Sequence, residues 1–214
     1  PTFDKVAREG VYMTRAYTGS PGCAPSRSSI ITGRHHWQNE QSGQHFSSWM
    51  KKYIPFTDEL KASGYAIGRI GKGVDQFRLA QSDVDSLWRK EDPAGPAYNI
   101  HNYDENDTRI ATGIWNNDYT ENFKAFLDDV EENQPFFAWV GVVEPHRVYE
   151  KDSWRRTNKR LEDVNVPAFL PDSEEVRGDL LDYAVEIEWF DAHLKKILDH
   201  QEQIGELDTT LVIV

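Results

Sequence analysis

Phe136-Phe137-Ala138-Trp139-Val140-Gly141-Val142-Val143 is an almost wholly apolar run, and Glu144-Pro145-His146-Arg147 follows it at once. Apolar residues without alternation suit a strand covered on both faces, which is typical of a parallel sheet between helices. The segments around it agree. Asp118 to Glu131 has a helical period, with Phe123, Phe126, Leu127 and Val130 on one face. Further back, Thr57 is placed to cap a helix over Asp58–Ser63 that Gly64 ends. Tyr65 to Ile70 then reads as a short strand leading into Gly71-Lys72-Gly73. The best helical pattern is Ser173–His200, with Asp172 and Glu175 as a capping box. Its apolar stripe is Val176, Leu180, Tyr183, Ala184, Ile187, Phe190, Leu194 and Ile197.

At the ends of the chain, Thr2 caps a helix through Arg8, Val11 to Tyr17 reads as a strand, and Leu211–Val214 reads as a buried parallel strand. Asp75 to Asn117 and Tyr149 to Asp172 hold no sustained period and read as long loops. The fold class is α/β, with a mainly parallel central sheet flanked by helices. Ligands in such folds bind beyond the carboxyl ends of the strands, where Lys72 and His146 fall.

The chemistry concentrates in Cys23-Ala24-Pro25-Ser26-Arg27-Ser28-Ser29-Ile30-Ile31-Thr32-Gly33, which holds the only cysteine of 214 residues. Pro25 fits the first turn of a helix, and Gly33 fits the residue just after one. Cys23 and Arg27 lie four apart and so share a face. The cysteine sits at the positive end of the helix dipole, and the arginine offers a planar fork for a phosphate or sulfate.

The formal net charge of −12 argues against nucleic acid as a partner and against attraction to an anionic membrane surface. No stretch is long and apolar enough to span a membrane. A lone cysteine excludes an internal disulfide framework. An anionic substrate therefore needs a local basic site, and Trp154-Arg155-Arg156-Thr157-Asn158-Lys159-Arg160 is one candidate.

The Cys23–Gly33 run resembles the sulfatase motif C-x-P-S-R-x-x-x-x-T-G at every fixed position. The resemblance extends along the chain and implies an alkaline-phosphatase/sulfatase-like fold. It implies that Cys23 is oxidised to formylglycine, whose hydrate attacks the sulfur of a sulfate ester. Arg27 would stabilise that nucleophile. Lys72, in a segment similar to the family's G-Y-x-x-x-x-x-G-K, and His146, in a Pro-His pair, would bind the sulfate. His146 would also serve as acid for the leaving group. Val74 stands where the family often has a histidine, which leaves one proton donor unassigned. His36, His45, Glu144 and Arg147 are candidate substrate-pocket residues. His35, His36 and His45 fit no zinc spacing, and oxygen ligands for calcium suit the family better.

The implied metal shell contains only Cys23, as formylglycine; the remaining ligands are expected outside the chain. The reading is of 1–214 as the central part of a sulfatase catalytic domain, without its N-terminal metal-binding strand and C-terminal part, and inactive alone. Glu144-Pro145-His146-Arg147 and Pro93-Ala94-Gly95-Pro96-Ala97-Tyr98-Asn99 resemble bacterial relatives of heparan N-sulfatase. That implies a sulfated sugar of glycosaminoglycan type, a formylglycine-generating maturation enzyme as partner, and a periplasmic or secreted location. Two other readings stand beside it: a phosphonate or phosphate ester hydrolase of the same superfamily, and a non-catalytic sulfated-glycan-binding relative.

Overall fold

The computed structural model describes residues 1–74, 87–104 and 109–214. The parts of the expected Asp75–Asn117 loop at 75–86 and 105–108 lie outside the described residues. The chain forms two compact units. One comprises Pro1–Tyr12, His101–Thr120 and Val142–Val214; the other comprises Met13–Ile100 and Glu121–Gly141.

The second unit holds the sheet. Strand β1 (Ala66–Gly71) pairs in parallel with β2 (Phe136–Gly141), in a register that sets Ala66 opposite Phe136 and Gly71 opposite Gly141. Both strands were legible, but β2 is half-buried over five of its six residues rather than covered on both faces. Gly68 admits the ring of Phe126, which a methyl there would approach to 2.3 Å. Phe126 belongs to the helix Tyr119–Asp128, the stretch expected to be helical.

The other helices of this unit are Cys23–Thr32 and Phe56–Ala62. The first ends at Gly33, left-handed at φ 64°, as its sequence requires. The second has Pro55 as its cap residue, so Thr57 lies inside it and is not its cap. The Thr57 hydroxyl instead donates to the Pro93 carbonyl at 2.5 Å, a tertiary tie. Ile31, Trp49, Tyr53, Val74 and Ala94 form the apolar core here.

In the first unit, a helix over Thr2–Glu9 packs on a long helix over Glu174–Gln203. Among the described residues the α-helices, in chain order, are α1 (Thr2–Glu9), α2 (Cys23–Thr32), α3 (Phe56–Ala62), α4 (Tyr119–Asp128) and α5 (Glu174–Gln203). Thr2 is not the α1 cap. Its N–H and that of Phe3 donate to the Asp191 carboxylate of α5 at 2.9 and 2.7 Å. The α5 cap is Ser173, whose hydroxyl accepts from Val176 N; Asp172 pairs with Arg177 instead.

The buried stripe of α5 also differs from the expected one. It runs through Leu181, Asp182, Val185, Glu186, His193, Leu194, Ile197, Leu198 and Gln201, while Tyr183 is exposed. Asp182 earns its place by accepting from Asp152 N, Ser153 Oγ and Trp154 N at 2.8 to 3.0 Å. An apolar count misses such residues.

Two expected strands are absent. Val11 to Tyr17 and Leu211–Val214 carry no strand pairing among the described residues. Val11, Tyr12, Met13, Tyr17, Leu211 and Ile213 are all more than two-thirds exposed. Apolar, β-favouring residues suit a strand, but a ladder partner makes one. Among the described residues no helix is long and apolar enough to cross a membrane.

Candidate functional site

Cys23 is the first residue of α2, and the extended Gly22 before it offers no side chain to cap the helix. The first-turn N–H groups and the positive dipole end therefore surround a half-buried thiol. His45 reaches this end. Its Nε2 lies 2.9 Å from Cys23 Sγ and accepts from Ala24 N at 3.4 Å. A methyl at Gly22 would stand 3.1 Å from His45 Cε1, so glycine keeps that approach open.

Arg27, one turn along α2, binds the backbone just beyond β1. Its Nη1 donates to the carbonyls of Lys72 and Gly73 at 2.9 and 2.6 Å, and its guanidinium lies 5.8 Å from the Trp139 ring. Trp139 Nε1 donates to the same Lys72 carbonyl at 3.2 Å. Lys72 N donates to Gly141 O at 2.7 Å. A methyl at Gly141 would fall 1.7 Å from the Lys72 carbonyl, so only glycine lets the end of β2 and the lysine loop close up.

Asp92 completes the fixing of the loop by accepting from Val74 N at 3.2 Å and Ala94 N at 2.8 Å. Val74 itself is fully buried in the apolar core. The position where the family often has a histidine is therefore a packing position here.

Cys23, Arg27, Lys72 and His45 are thus brought together within the second unit. His36 belongs to the same unit; its ring meets Trp37 edge-on at 5.1 Å, and its Nδ1 is buried without a partner among the described residues. Sequence reasoning missed Trp139 and Asp92. Asp92 carried a local signal, because an Asp before Pro-Ala-Gly favours a turn closed by its own side chain.

The remaining candidates belong to the first unit. His146 is exposed, and its Nδ1 lies 2.6 Å from the Arg147 carbonyl. Arg147 forms a two-point pair with Asp179 at 2.7 and 2.5 Å and lies over the Tyr149 ring. Asp179 holds that guanidinium above its ordinary pKa. Glu144 was expected in a substrate pocket, but it is only 3% exposed. Its carboxylate accepts from Trp115 N at 2.6 Å and from the Tyr119 hydroxyl at 2.7 Å, so it is an internal anchor.

The basic stretch at 154–160 is not an open anion site. Arg155 pairs with Asp152 and Glu174, Arg156 with Glu150, Lys159 with Glu188, and Arg160 with Glu162 and Asp163. Arg156 and the Thr112 N–H hold Glu150 down to about 2. A cavity of about 410 Å³ beside this stretch is lined by Lys151 and Arg155 against Asp152, Glu174, Glu175, Asp179 and Asp182. Carboxylates outnumber cations there, which repels an anionic sugar.

Among the described residues no three His, Cys, Asp or Glu side chains converge as metal ligands would. Calcium takes about six to eight oxygen ligands. The described residues therefore do not by themselves fit the calcium site that the resemblance implies.

The parallel sheet, the cysteine at a helix N-terminus and the arginine that clasps the lysine loop all lie in the second unit. The family model described as Sulfatase matches residues 1–214, and the chain belongs to the sulfatase family. It is similar to the N-sulphoglucosamine sulphohydrolase of Homo sapiens, at 25% identity over 246 residues that cover 100% of this chain and 44% of that protein. Among solved structures it resembles a candidate sulfatase of Bacteroides fragilis, with TM-score 0.64, 18% identity, and coverage of 97% of this chain and 54% of that one. It also resembles a structure from work on glycosaminoglycan metabolism by Bacteroides thetaiotaomicron, with TM-score 0.60, 18% identity, and coverage of 96% and 51%. The chain thus spans about half the length of the proteins it matches. At that identity the two structures bear on fold alone.

Proposed function

We propose that the intact protein hydrolyses a sulfate ester or sulfamate on a sulfated sugar, with Cys23 converted to formylglycine. The observation that carries the reading is the clasp from Arg27 to the Lys72 and Gly73 carbonyls, which ties the cysteine helix to the lysine loop. Formylglycine, as its hydrate, supplies an oxygen nucleophile. The other roles fall to the chain's own groups. The α2 N-terminus offers N–H donors to an anion. Lys72 neutralises charge on the transferring sulfuryl group. His45, within 2.9 Å of the reactive position, orients it and exchanges a proton with it. His146 donates the proton that the leaving group needs.

The family relation to an N-sulphoglucosamine sulphohydrolase supports a glycosaminoglycan-type sugar. The reading entails a formylglycine-generating maturation enzyme as partner and an exported protein.

A mass spectrum of the tryptic peptide Ala16–Arg27, from protein made in its own host, tests the modification. An aldehyde or its hydrate at Cys23 supports the reading, and an unmodified thiol removes the nucleophile. In the intact protein, Cys23→Ala is expected to abolish sulfate release while the thermal melt stays in place. Retained turnover would overturn the assignment. Faster release from phosphate than from sulfate esters would favour the phosphoester reading. Saturable binding of a sulfated oligosaccharide without release would favour the binding protein.

A further inference from the structure

The turn from Val143 to His146 follows β2 and lies outside the sheet ladder. What holds it is a buried tyrosine. Tyr119 is fully buried, and its hydroxyl donates to Glu144 Oε2 at 2.7 Å while accepting the Val143 N–H at 3.0 Å. Glu144 Oε1 accepts from Trp115 N at 2.6 Å. The Val143 carbonyl in turn accepts the N–H of His146 at 3.0 Å. One hydroxyl therefore fixes the main chain at Val143 and the side chain of the next residue, and Val143 fixes His146. Burial, then the Glu144 charge, keeps the Tyr119 hydroxyl protonated and so able to donate. At His146, Nδ1 lies 2.6 Å from the Arg147 carbonyl, which can only accept, so Nδ1 donates there and Nε2 is the nitrogen left to face a substrate.

We propose that Tyr119, acting through Glu144 and Val143, is a positioning residue for His146, holding its ring where Nε2 can protonate a leaving group. The proposal rests on the reading of His146 as that proton donor. Proton donation matters most for a poor leaving group and little for one that departs as a stable anion. The loss on removing the Tyr119 hydroxyl should therefore depend on the leaving group, which a merely structural role would not produce.

The test uses the intact protein and a series of aryl sulfates, from 4-nitrophenyl sulfate to 4-methoxyphenyl sulfate. Tyr119→Phe and the control His146→Asn are compared with the parent. For Tyr119→Phe, kcat should fall by about 10-fold or more on the methoxyphenyl ester and by less than about 2-fold on the nitrophenyl ester, with KM little changed. Glu144→Gln should show the same selectivity, and it decides the matter if Tyr119→Phe fails to fold. Suppose His146→Asn shows a leaving-group-dependent loss while Tyr119→Phe and Glu144→Gln match the parent, or lose equally on every ester. The positioning role is then wrong and the reading of His146 survives. If His146→Asn shows no such dependence, the reading of His146 fails and the proposal with it.

Discussion

Replacing Glu186 with glutamine should stabilise the protein at alkaline pH and leave it nearly unchanged at acid pH. Glu186 is 1% exposed, and neither carboxylate oxygen has a hydrogen-bond partner among the described residues. Burial, then the negative charges of Glu144 and Asp182, push its carboxyl from 4.5 up to about 7. The folded state thus holds a proton that the unfolded chain has released, across the window from about 4.5 to about 7. Stability contributed by this group is complete below the unfolded value and is lost as pH rises through the folded one. At about 1.4 kcal/mol per pKa unit, the loss across the window is about 3 kcal/mol. Glutamine matches the protonated acid in shape and never ionises. The free-energy difference between Glu186→Gln and the parent should therefore be near zero at pH 4.5 and grow to about 3 kcal/mol in the variant's favour at pH 8. Urea unfolding of the intact protein at several pH values, followed by tryptophan fluorescence, measures it. A difference that stays flat with pH, or a variant weaker than the parent at pH 8, would refute the reasoning.

Two further outcomes follow from the packing. His193 is 1% exposed, and burial, followed by the nearby Lys196 charge, lowers its imidazole from 6.5 to about 4. Stability from this group is present above 6.5 and lost as pH falls towards 4, so unfolding measurements on His193→Gln should lack a component of about 3 kcal/mol over that range. Gly141→Ala places a methyl 1.7 Å from the Lys72 carbonyl. It should cost about 3 kcal/mol by chemical denaturation, and in the intact protein it should displace Lys72 enough to slow the proposed hydrolysis, whereas full stability would contradict the close approach.

Much of the candidate site's geometry was legible because it is written in local spacing. Cys23, Arg27 and Gly33 share a ten-residue helix and its cap, and that geometry follows from the helical repeat alone. Strands β1 and β2 were legible from their glycine boundaries and apolar runs. What escaped was whatever a distant residue decides. Asp191 takes the N–H groups of Thr2 and Phe3 at the start of α1, and Pro93 takes the Thr57 hydroxyl. Trp139 and Tyr119 act by hydrogen bonds to residues far away in sequence, which no window of pattern contains. Val11–Tyr17 and Leu211–Val214 show the converse error. Their composition suits strands, yet pairing depends on a neighbour that the composition does not specify.

The buried face of α5 explains why a helix with so regular a pattern was read one row out. Its interior includes an acid and a base, Glu186 and His193, seven residues apart and so two turns along one face. Each is costly alone, because burial forbids its charged form. Their pH dependences run in opposite directions. Near pH 5.5 the fold keeps Glu186 protonated and His193 neutral, while the unfolded chain has the reverse, so both states bind one proton between the two groups. By linkage the slopes then cancel across most of the range from 4.5 to 6.5. The parent can therefore show an almost flat stability profile while carrying two strongly perturbed groups. Removing either one exposes the slope of the other: stability of Glu186→Gln should rise with pH there, and that of His193→Gln should fall. A flat profile in the parent is thus no sign that the two groups are ordinary, and only the single variants separate them.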